Sequence, residues 1–297
     1  MNSGYTYRSR IDAGGDGKPL ASYLAARYPH SSLATWLARL AGGEIELAGR
    51  RASPGEVGRQ GDLLAWHRPP WAEPDVPRHF AVLHEDADVL AVAKPGGLPT
   101  MPAGGYLEHT LLHLVRRTWP SAHAVHRLGR ATSGVVLFAL TSAAAAALAR
   151  ALRDRRVEKT YRALVAGAPA WDLLEATTPI GLVPHPRLGR VYAAHAGGRE
   201  ARSRLAVVER RDGTTLLEVT IATGRPHQIR IHAAAAGHPL AGDPLYAPGG
   251  LPSAAALPGD GGYHLHAWRV GFAHPRTARH CEVVAPLPEP LRLATER

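Results

Sequence analysis

The sequence predicts an α+β protein with a small first unit and a larger second one, and three observations carry that expectation. Short, uninterrupted apolar runs rich in β-branched residues, most clearly Val135-Val136-Leu137-Phe138-Ala139-Leu140, read as strands buried on both faces. The segments between them hold only short amphipathic helices with Ser or Thr at their starts. Pro69, Pro70, Pro74 and Pro77 deny residues 68–79 a helix and favour an extended, fairly stiff linker.

At 297 residues the chain can bury a sizeable core in roughly two domains. Its formal net charge is +10 and its isoelectric point about 10.2. A basic excess of this size speaks about partners, with nucleic acid the first candidate, while the same richness in Arg, Ala and Gly also follows from a GC-rich genome. Cys281 is the only cysteine, which excludes an intrachain disulfide. Residues 1–17 are polar and Gly-rich with no apolar centre for a signal peptide, and they are expected to be flexible. No stretch approaches eighteen consecutive apolar residues. A soluble, cytoplasmic protein is expected.

Residues 18–67 form the first unit. Leu20, Tyr23, Leu24 and Arg27 share a helical face ended by Pro29. Ser31 or Ser32 then caps a second helix whose Leu33, Trp36, Leu37 and Leu40 follow the i, i+3, i+4, i+7 spacing, stopped by Gly42-Gly43. Glu44 to Leu47 alternates as a half-buried strand, and Leu63 to Trp66 is a further strand after Gly61-Asp62. Arg39, Arg50, Arg51 and Arg59 sit around this unit.

The second unit, residues 80–297, opens with a hairpin of Val82-Leu83-His84 and Val89 to Ala93, closed by Lys94-Pro95-Gly96-Gly97. Leu111, Leu112, Leu114 and Val115 fit a helix. After the central strand, Thr141 or Ser142 caps an Ala-rich helix that ends in Arg153, Arg155 and Arg156, as suits the negative end of its dipole. Lys159 to Val165 follows as a strand entered from a basic loop, and Tyr161 on it is either a core residue or a base-stacking one. The stretch Tyr246 to Gly262, rich in Gly, Pro and Ala, reads as a mobile loop. His264 and His266 alternate with apolar neighbours as in a strand, with no tight ligand pair of zinc spacing, so no metal site is expected.

Two stretches concentrate polar groups. His126-Arg127-Leu128-Gly129-Arg130-Ala131-Thr132-Ser133-Gly134 is a loop pinned to the central strand, where a rigid scaffold presents groups to solvent. Its guanidinium, imidazole and hydroxyl groups suit a phosphate-bearing partner; the alternative is an ordinary solvated turn. Thr223-Gly224-Arg225-Pro226-His227-Gln228-Ile229-Arg230 runs from a strand into a helix, with Pro226 suited to the first helical position. Free N–H donors and the positive dipole end there make Arg225, His227 and Gln228 the rim of an anion site, with Arg230 one turn deeper.

The order Ser-capped helix, glycine pair, short strand and Gly-Asp-Leu-Leu in the first unit resembles the small RNA-binding domain named after ribosomal small-subunit protein four. In the second unit, His-Arg-Leu-Gly-Arg-Ala-Thr-Ser-Gly from 126, Lys-Thr-Tyr-Arg-Ala-Leu-Val from 159 and Thr-Gly-Arg-Pro-His-Gln-Ile-Arg-Ile-His from 223 resemble successive signatures of the ribosomal-large-subunit and transfer-RNA pseudouridine synthase A family. Gly-His-Pro-Leu-Ala-Gly-Asp-Pro-Leu-Tyr from 237 agrees with it. The resemblance implies a mostly antiparallel mixed sheet with flanking helices. It implies an isomerase that flips a uridine out of structured RNA, ribosomal or transfer, breaks its glycosidic bond and rejoins the base through carbon five, as a monomer and with no cofactor. On the matching positions, Tyr161 is the tyrosine that contacts the base and Arg230 the arginine that orients the catalytic aspartate. His126, Arg127, Arg130, Thr132, Ser133, Lys159, Arg225, His227 and Gln228 are the residues that meet RNA or shape the loop.

The sequence departs from that pattern at one position. Where the family carries its nucleophilic aspartate, directly after His-Arg-Leu, this chain has Gly129, which can neither attack nor accept a proton. Glu108 and Glu200 are acids that a folded-over loop could bring, and no pattern singles either out. An RNA-binding relative without turnover, acting as a chaperone or assembly factor, is the alternative this position raises.

Overall fold

The computed structural model describes residues 1–296, which fall into two compact units, Met1–Glu73 and Pro74 onward, so the boundary lies within the Pro-rich stretch. The first unit is a four-stranded antiparallel sheet in the order β1-β4-β2-β3, with β1 Tyr5–Arg10, β2 Ile45–Leu47, β3 Arg50–Arg51 and β4 Leu63–Arg68. Two helices pack on it, α1 Leu20–Arg27 and α2 Leu33–Ala41. Ser32 is the cap of α2, accepting from the Thr35 N–H at 3.2 Å. Leu20, Leu24, Trp36 and Leu40 meet Ile45, Leu47 and Leu64 in its core.

Residues 1–17 are not the flexible tail expected from their polar composition. Tyr5–Arg10 pairs along its length with β4, the Asn2 backbone N–H donates to the Trp71 carbonyl at 3.1 Å, and Ile11 is buried. Strand pairing satisfies backbone groups whatever the side chains are, which is why a polar segment with alternating Tyr5, Tyr7 and Ser9 can serve as an edge strand.

The second unit is built on a ten-stranded sheet. Its strands are β5 Ala81–Glu85, β6 Val89–Lys94, β7 His123–Ala124, β8 Ser133–Ala139, β9 Glu158–Ala166, β10 Leu173–Ala176, β13 Ser203–Arg211, β14 Thr214–Ile221, β15 Leu265–Ala273 and β16 His280–Val284. The remaining strands, β11 Ile180–His185 and β12 Gly189–Ala194, form a separate hairpin. The main order is β10-β13-β14-β9-β15-β8-β6-β5, antiparallel except for the parallel pair β15–β8. That parallel contact requires Gly134: its φ is +111°, and a Cβ there would collide with the Ala267 backbone.

Alternation along β8 sorts the core into two layers. Val136 and Phe138 join Leu90, Val92, Tyr161, Val219 and helices α3 Leu111–Arg116 and α5 Gln228–Ala235 on one face. Val135, Leu137 and Ala139 meet Ala144, Leu148 and Ala151 of α4 Ser142–Arg153 on the other, and Thr141 caps that helix by accepting from Ala144 N–H. The stretch Tyr246 to Gly262 has no helix or strand but is not simply an open loop. Tyr246 and Ala256 are buried, and the Gly259 carbonyl is engaged by Arg130.

Candidate active site

The loop of residues 126–132 enters β8 and is tied down through its backbone. The fully buried Lys94 donates to the carbonyls of Pro95 at 2.9 Å, Leu98 at 2.7 Å and Arg130 at 3.1 Å. Burial pushes its ammonium down to about 7, against three carbonyl oxygens that match the three donors of the charged form. The Thr100 hydroxyl donates to the Leu128 carbonyl and accepts from the Leu128 N–H. His126 is a strut: its Nε2 accepts from the Leu137 N–H at 3.1 Å, and burial together with the charge of Lys159 holds it near 4, so it stays neutral. Arg130 is likewise occupied, donating to the Gly259 carbonyl at 3.0 Å and the Tyr106 hydroxyl at 2.6 Å. Thr132 is buried with its Oγ1 3.3 Å from the Tyr263 hydroxyl, and Ser133 Oγ lies 2.8 Å from His266 Nδ1. These four side chains thus hydrogen-bond within the protein and shape the loop. Arg127 alone in this loop is exposed and has no hydrogen-bond or ion-pair partner among the described residues.

Strand β9 supplies the floor. Lys159 and Tyr161 lie two apart and so share a face. The Lys159 Nζ approaches the Thr223-Gly224 turn, 3.8 Å from where a Cβ on Gly224 would stand, and its charge is felt at His126, so it bridges the two polar stretches. Burial lowers its pKa, and it has no hydrogen-bond or ion-pair partner among the described residues. Tyr161 is 8 % exposed, and burial pushes its hydroxyl up to about 12. That hydroxyl makes no hydrogen bond among the described residues, and its oxygen stays accessible although the ring is packed in the core.

Helix α5 begins two residues later than expected. Pro226 lies in the preceding turn, and His227 is the N-cap in the left-handed region at φ 56°. Gln228 makes this turn: its Oε1 accepts from the Thr223 hydroxyl and the Arg225 N–H, and its Nε2 donates to the Arg202 carbonyl and Ser203 Oγ. It is a buried scaffold residue rather than part of an anion rim, which corrects the expectation for it. Arg225 is half-buried, with Nε donating to the Glu200 carbonyl at 2.9 Å. The Tyr246 hydroxyl spends its single proton on the Tyr192 carbonyl at 2.6 Å, so His227 Nδ1, 2.7 Å away, must be the donor to Tyr246. His227 Nε2 is then an acceptor. Burial, Arg230 and Arg127 hold the ring near 3, hence neutral.

One turn on, Arg230 is buried between the rings of Tyr263 at 4.3 Å and Tyr246 at 5.0 Å. It has an acid: Asp243 takes Nε and NH2 at 2.7 Å each. The Asp243 carboxylate also accepts from the N–H groups of Leu245 and Tyr246, so its lone pairs are used. Gly129 approaches the same Tyr263 at its hydroxyl. A Cβ on it would stand 3.4 Å from the Tyr263 hydroxyl and 3.5 Å from Thr132 Oγ1, and its φ is not in the glycine-only region. Glu200 is exposed and pairs with Arg202.

Residues 88–235 match the family pattern described as RNA pseudouridylate synthase. An uncharacterised RNA pseudouridine synthase of Synechocystis sp. is 40 % identical over 92 % of this chain and 95 % of its own length. The chain belongs to the RNA pseudouridine synthase family. RNA pseudouridine synthase 5 of Oryza sativa is 36 % identical, covering 100 % of this chain and 90 % of its own. Among solved structures, Human RNA Pseudouridylate Synthase Domain Containing 1 superposes with a TM-score of 0.56 at 25 % identity over 73 % of this chain and 87 % of that one. The family's mostly antiparallel sheet is the one found in the second unit.

Of the expected site residues, His227 feels the charges of Arg230 and Arg127, Lys159 lies between His126 and the Gly224 turn, and Gly129 and Arg230 both approach Tyr263. The residues that the sequence did not single out are the supports: Lys94, Thr100, Asp243, Tyr246 and Tyr263. Asp243 had a signal in the motif from 237, whereas Tyr263 lies in a Gly-rich stretch with no periodicity to mark it.

Proposed function

We propose that the chain isomerises uridine to pseudouridine in structured RNA, ribosomal or transfer, at the region around Tyr161. The observation that carries the reading is the relationship along nearly the whole chain to an RNA pseudouridine synthase, and Tyr161 supports it with a hydroxyl that makes no hydrogen bond among the described residues and is open to an incoming group. In this reading the Tyr161 hydroxyl contacts the flipped base and moves a proton on it. Its raised pKa keeps it a neutral donor at ordinary pH. Arg127, Lys159 and Arg225 hold the RNA backbone, His227 Nε2 accepts from a nucleotide N–H or O–H, and Arg230 is held by Asp243 as the cationic wall of the site. Gly129 occupies the place of the family's aspartate. The first unit is an RNA-binding domain of the ribosomal-small-subunit-protein-four type that adds affinity rather than chemistry. The protein acts as a monomer in the cytoplasm, which size-exclusion chromatography and cell fractionation check.

Position 129 favours a second reading, in which the chain binds RNA without turnover, because glycine supplies no nucleophile there. Release of the carbon-five hydrogen from labelled uridine in cellular RNA decides between the two. Release on adding purified protein overturns the second reading. RNA binding without release overturns the first.

A further inference from the structure

The first unit carries a surface for which the reading of the second unit has no use. In the pair β1–β4, Tyr5 stands opposite Arg68 and Tyr7 opposite Trp66, while β2 places Ile45 opposite Trp66 and Leu47 opposite Leu64. Residues two apart share a face, so these side chains lie on one side of the sheet. At one end α1 and α2 cover it, with Leu20, Leu24, Trp36 and Leu40 sealing Ile45, Leu47 and Leu64. The other end is uncovered, and Tyr5 and Tyr7 are 49 % and 42 % exposed.

The uncovered end is a run of rings. Tyr5 meets Tyr7 edge-on at 4.8 Å, Tyr7 lies nearly parallel to Trp66 at 5.3 Å with 23° between planes, and Trp66 abuts the buried Trp36 at 5.2 Å. Guanidinium groups surround it. Arg39 lies over Trp66 at 4.2 Å and Trp36 at 4.5 Å, and Arg68 lies over Trp71 at 3.5 Å and Trp66 at 5.8 Å. Among the described residues neither makes an ion pair: Arg39 donates to Ser31 Oγ, and the carboxylate of Glu44 is engaged by Trp66 Nε1 at 2.9 Å. Burial above all, and then Arg39 and Arg68, hold the neighbouring His30 below its ordinary pKa.

Exposed flat rings beside two arginines that make no direct ion pair, with Glu44 the acid felt at Arg39, fit a partner that is itself flat and aromatic along a negatively charged chain. A protein surface could cover the rings but gives the arginines no regular row of anions. We propose that Tyr5 and Tyr7, backed by Trp66, form a stacking shelf for unpaired bases of single-stranded RNA, with Arg68 and Arg39 meeting its phosphates. The proposal rests on RNA being the partner, as in the reading above, and not on the chemistry around Tyr161.

The test uses the full chain and fluorescence anisotropy with a labelled single-stranded oligouridylate and the same oligomer made abasic. Stacking contributes per base, so wild type should prefer the base-bearing oligomer by about tenfold or more. Tyr5→Leu/Tyr7→Leu, which keeps apolar bulk on the strand, should erase most of that preference while the salt dependence persists. Tyr5→Phe/Tyr7→Phe should retain it. Equal binding of the two oligomers by wild type, or an unchanged preference in a folded leucine variant, overturns the shelf. Should the leucine variant fail to fold, the abasic comparison on wild type decides alone. Failure of the synthase reading shows instead as absent hydrogen release with the preference preserved.

Discussion

Arg230 and Asp243 form a bidentate pair at 2.7 Å and 2.7 Å, with side-chain exposures of 3 % and 0 %. Two charges so placed are costly to desolvate, and the site recovers that cost through additional bonds: Arg230 NH1 to the Pro258 carbonyl at 3.2 Å, and Leu245 and Tyr246 N–H to Asp243. The pair thus joins α5 to the turn at 243–246 and fixes where the guanidinium sits beside Tyr263.

Asp243→Asn keeps the shape but leaves Arg230 buried and unpaired. Removing one partner of such a pair typically costs about 3–5 kcal/mol. Urea denaturation should show a loss of that order, and a loss under about 1 kcal/mol would mean that the pair is solvated or replaced by another acid.

Much of this architecture was legible in the residues. The run Val135 to Ala139 is a strand buried on both faces, and Ser32 and Thr141 cap the helices they were expected to cap, because these signals are local. What was not legible depends on chain segments far apart. Tyr5–Arg10 becomes a strand only because β4, more than fifty residues on, offers an edge. Gln228 looks like a free polar group at a helix start until the Thr223 turn and Arg202 close around it. The same holds for Arg130 and the Gly259 carbonyl, separated by 129 positions. The approach of Arg127 and Arg230 to His227 was likewise not legible, since no periodicity links a loop to a helix start.

Stability should fall as pH is lowered from about 6.5 to 4. His126 is held near 4 and His227 near 3, both against 6.5 when unfolded, so in this window the unfolded chain binds protons that the folded one does not. The unfolded state therefore gains with acid, by up to about 1.4 kcal/mol per pH unit for each ring. His126→Gln, which can still accept from the Leu137 N–H, should reduce the slope of unfolding free energy against pH by about one proton. An unchanged slope would show that His126 titrates normally.

RNA binding should weaken steeply with salt, and Arg127 should account for a definable part of it. It is the exposed, unpartnered cation of the loop, whereas Arg130 is held by Tyr106 and Gly259. Each phosphate contact releases condensed counterions, so Arg127→Ala should flatten the slope of log affinity against log salt by about 0.7–0.9. Arg130→Ala, by contrast, should act through the loop and lower stability. A slope that Arg127→Ala leaves unchanged would remove Arg127 from the RNA contact.

Gly129→Asp tests whether the carboxylate is all that the site lacks. The backbone permits it, since the φ of Gly129 is outside the left-handed region that strains other residues. The space permits it too: the new Cβ would make ordinary contacts with the Tyr263 hydroxyl and Thr132 Oγ1, at 3.4 Å and 3.5 Å. Stability should therefore change by no more than about 1 kcal/mol. The carboxylate would stand near the Tyr263 hydroxyl, whose ring faces Arg230, and Asp243 and Pro258 use three of the five Arg230 N–H donors, so it would meet a positive potential. That is a suitable state for a nucleophile, which needs its charge and its freedom to approach the sugar or base. If the chain as it stands does not turn over, the variant should gain release of the carbon-five hydrogen from uridine in cellular RNA. Adding Tyr161→Phe should abolish the gain, because the proton on the base then has no hydroxyl to move through. A folded Gly129→Asp protein that binds RNA and releases no hydrogen would show that more than the nucleophile is missing, and would favour RNA binding as the whole of this chain's activity.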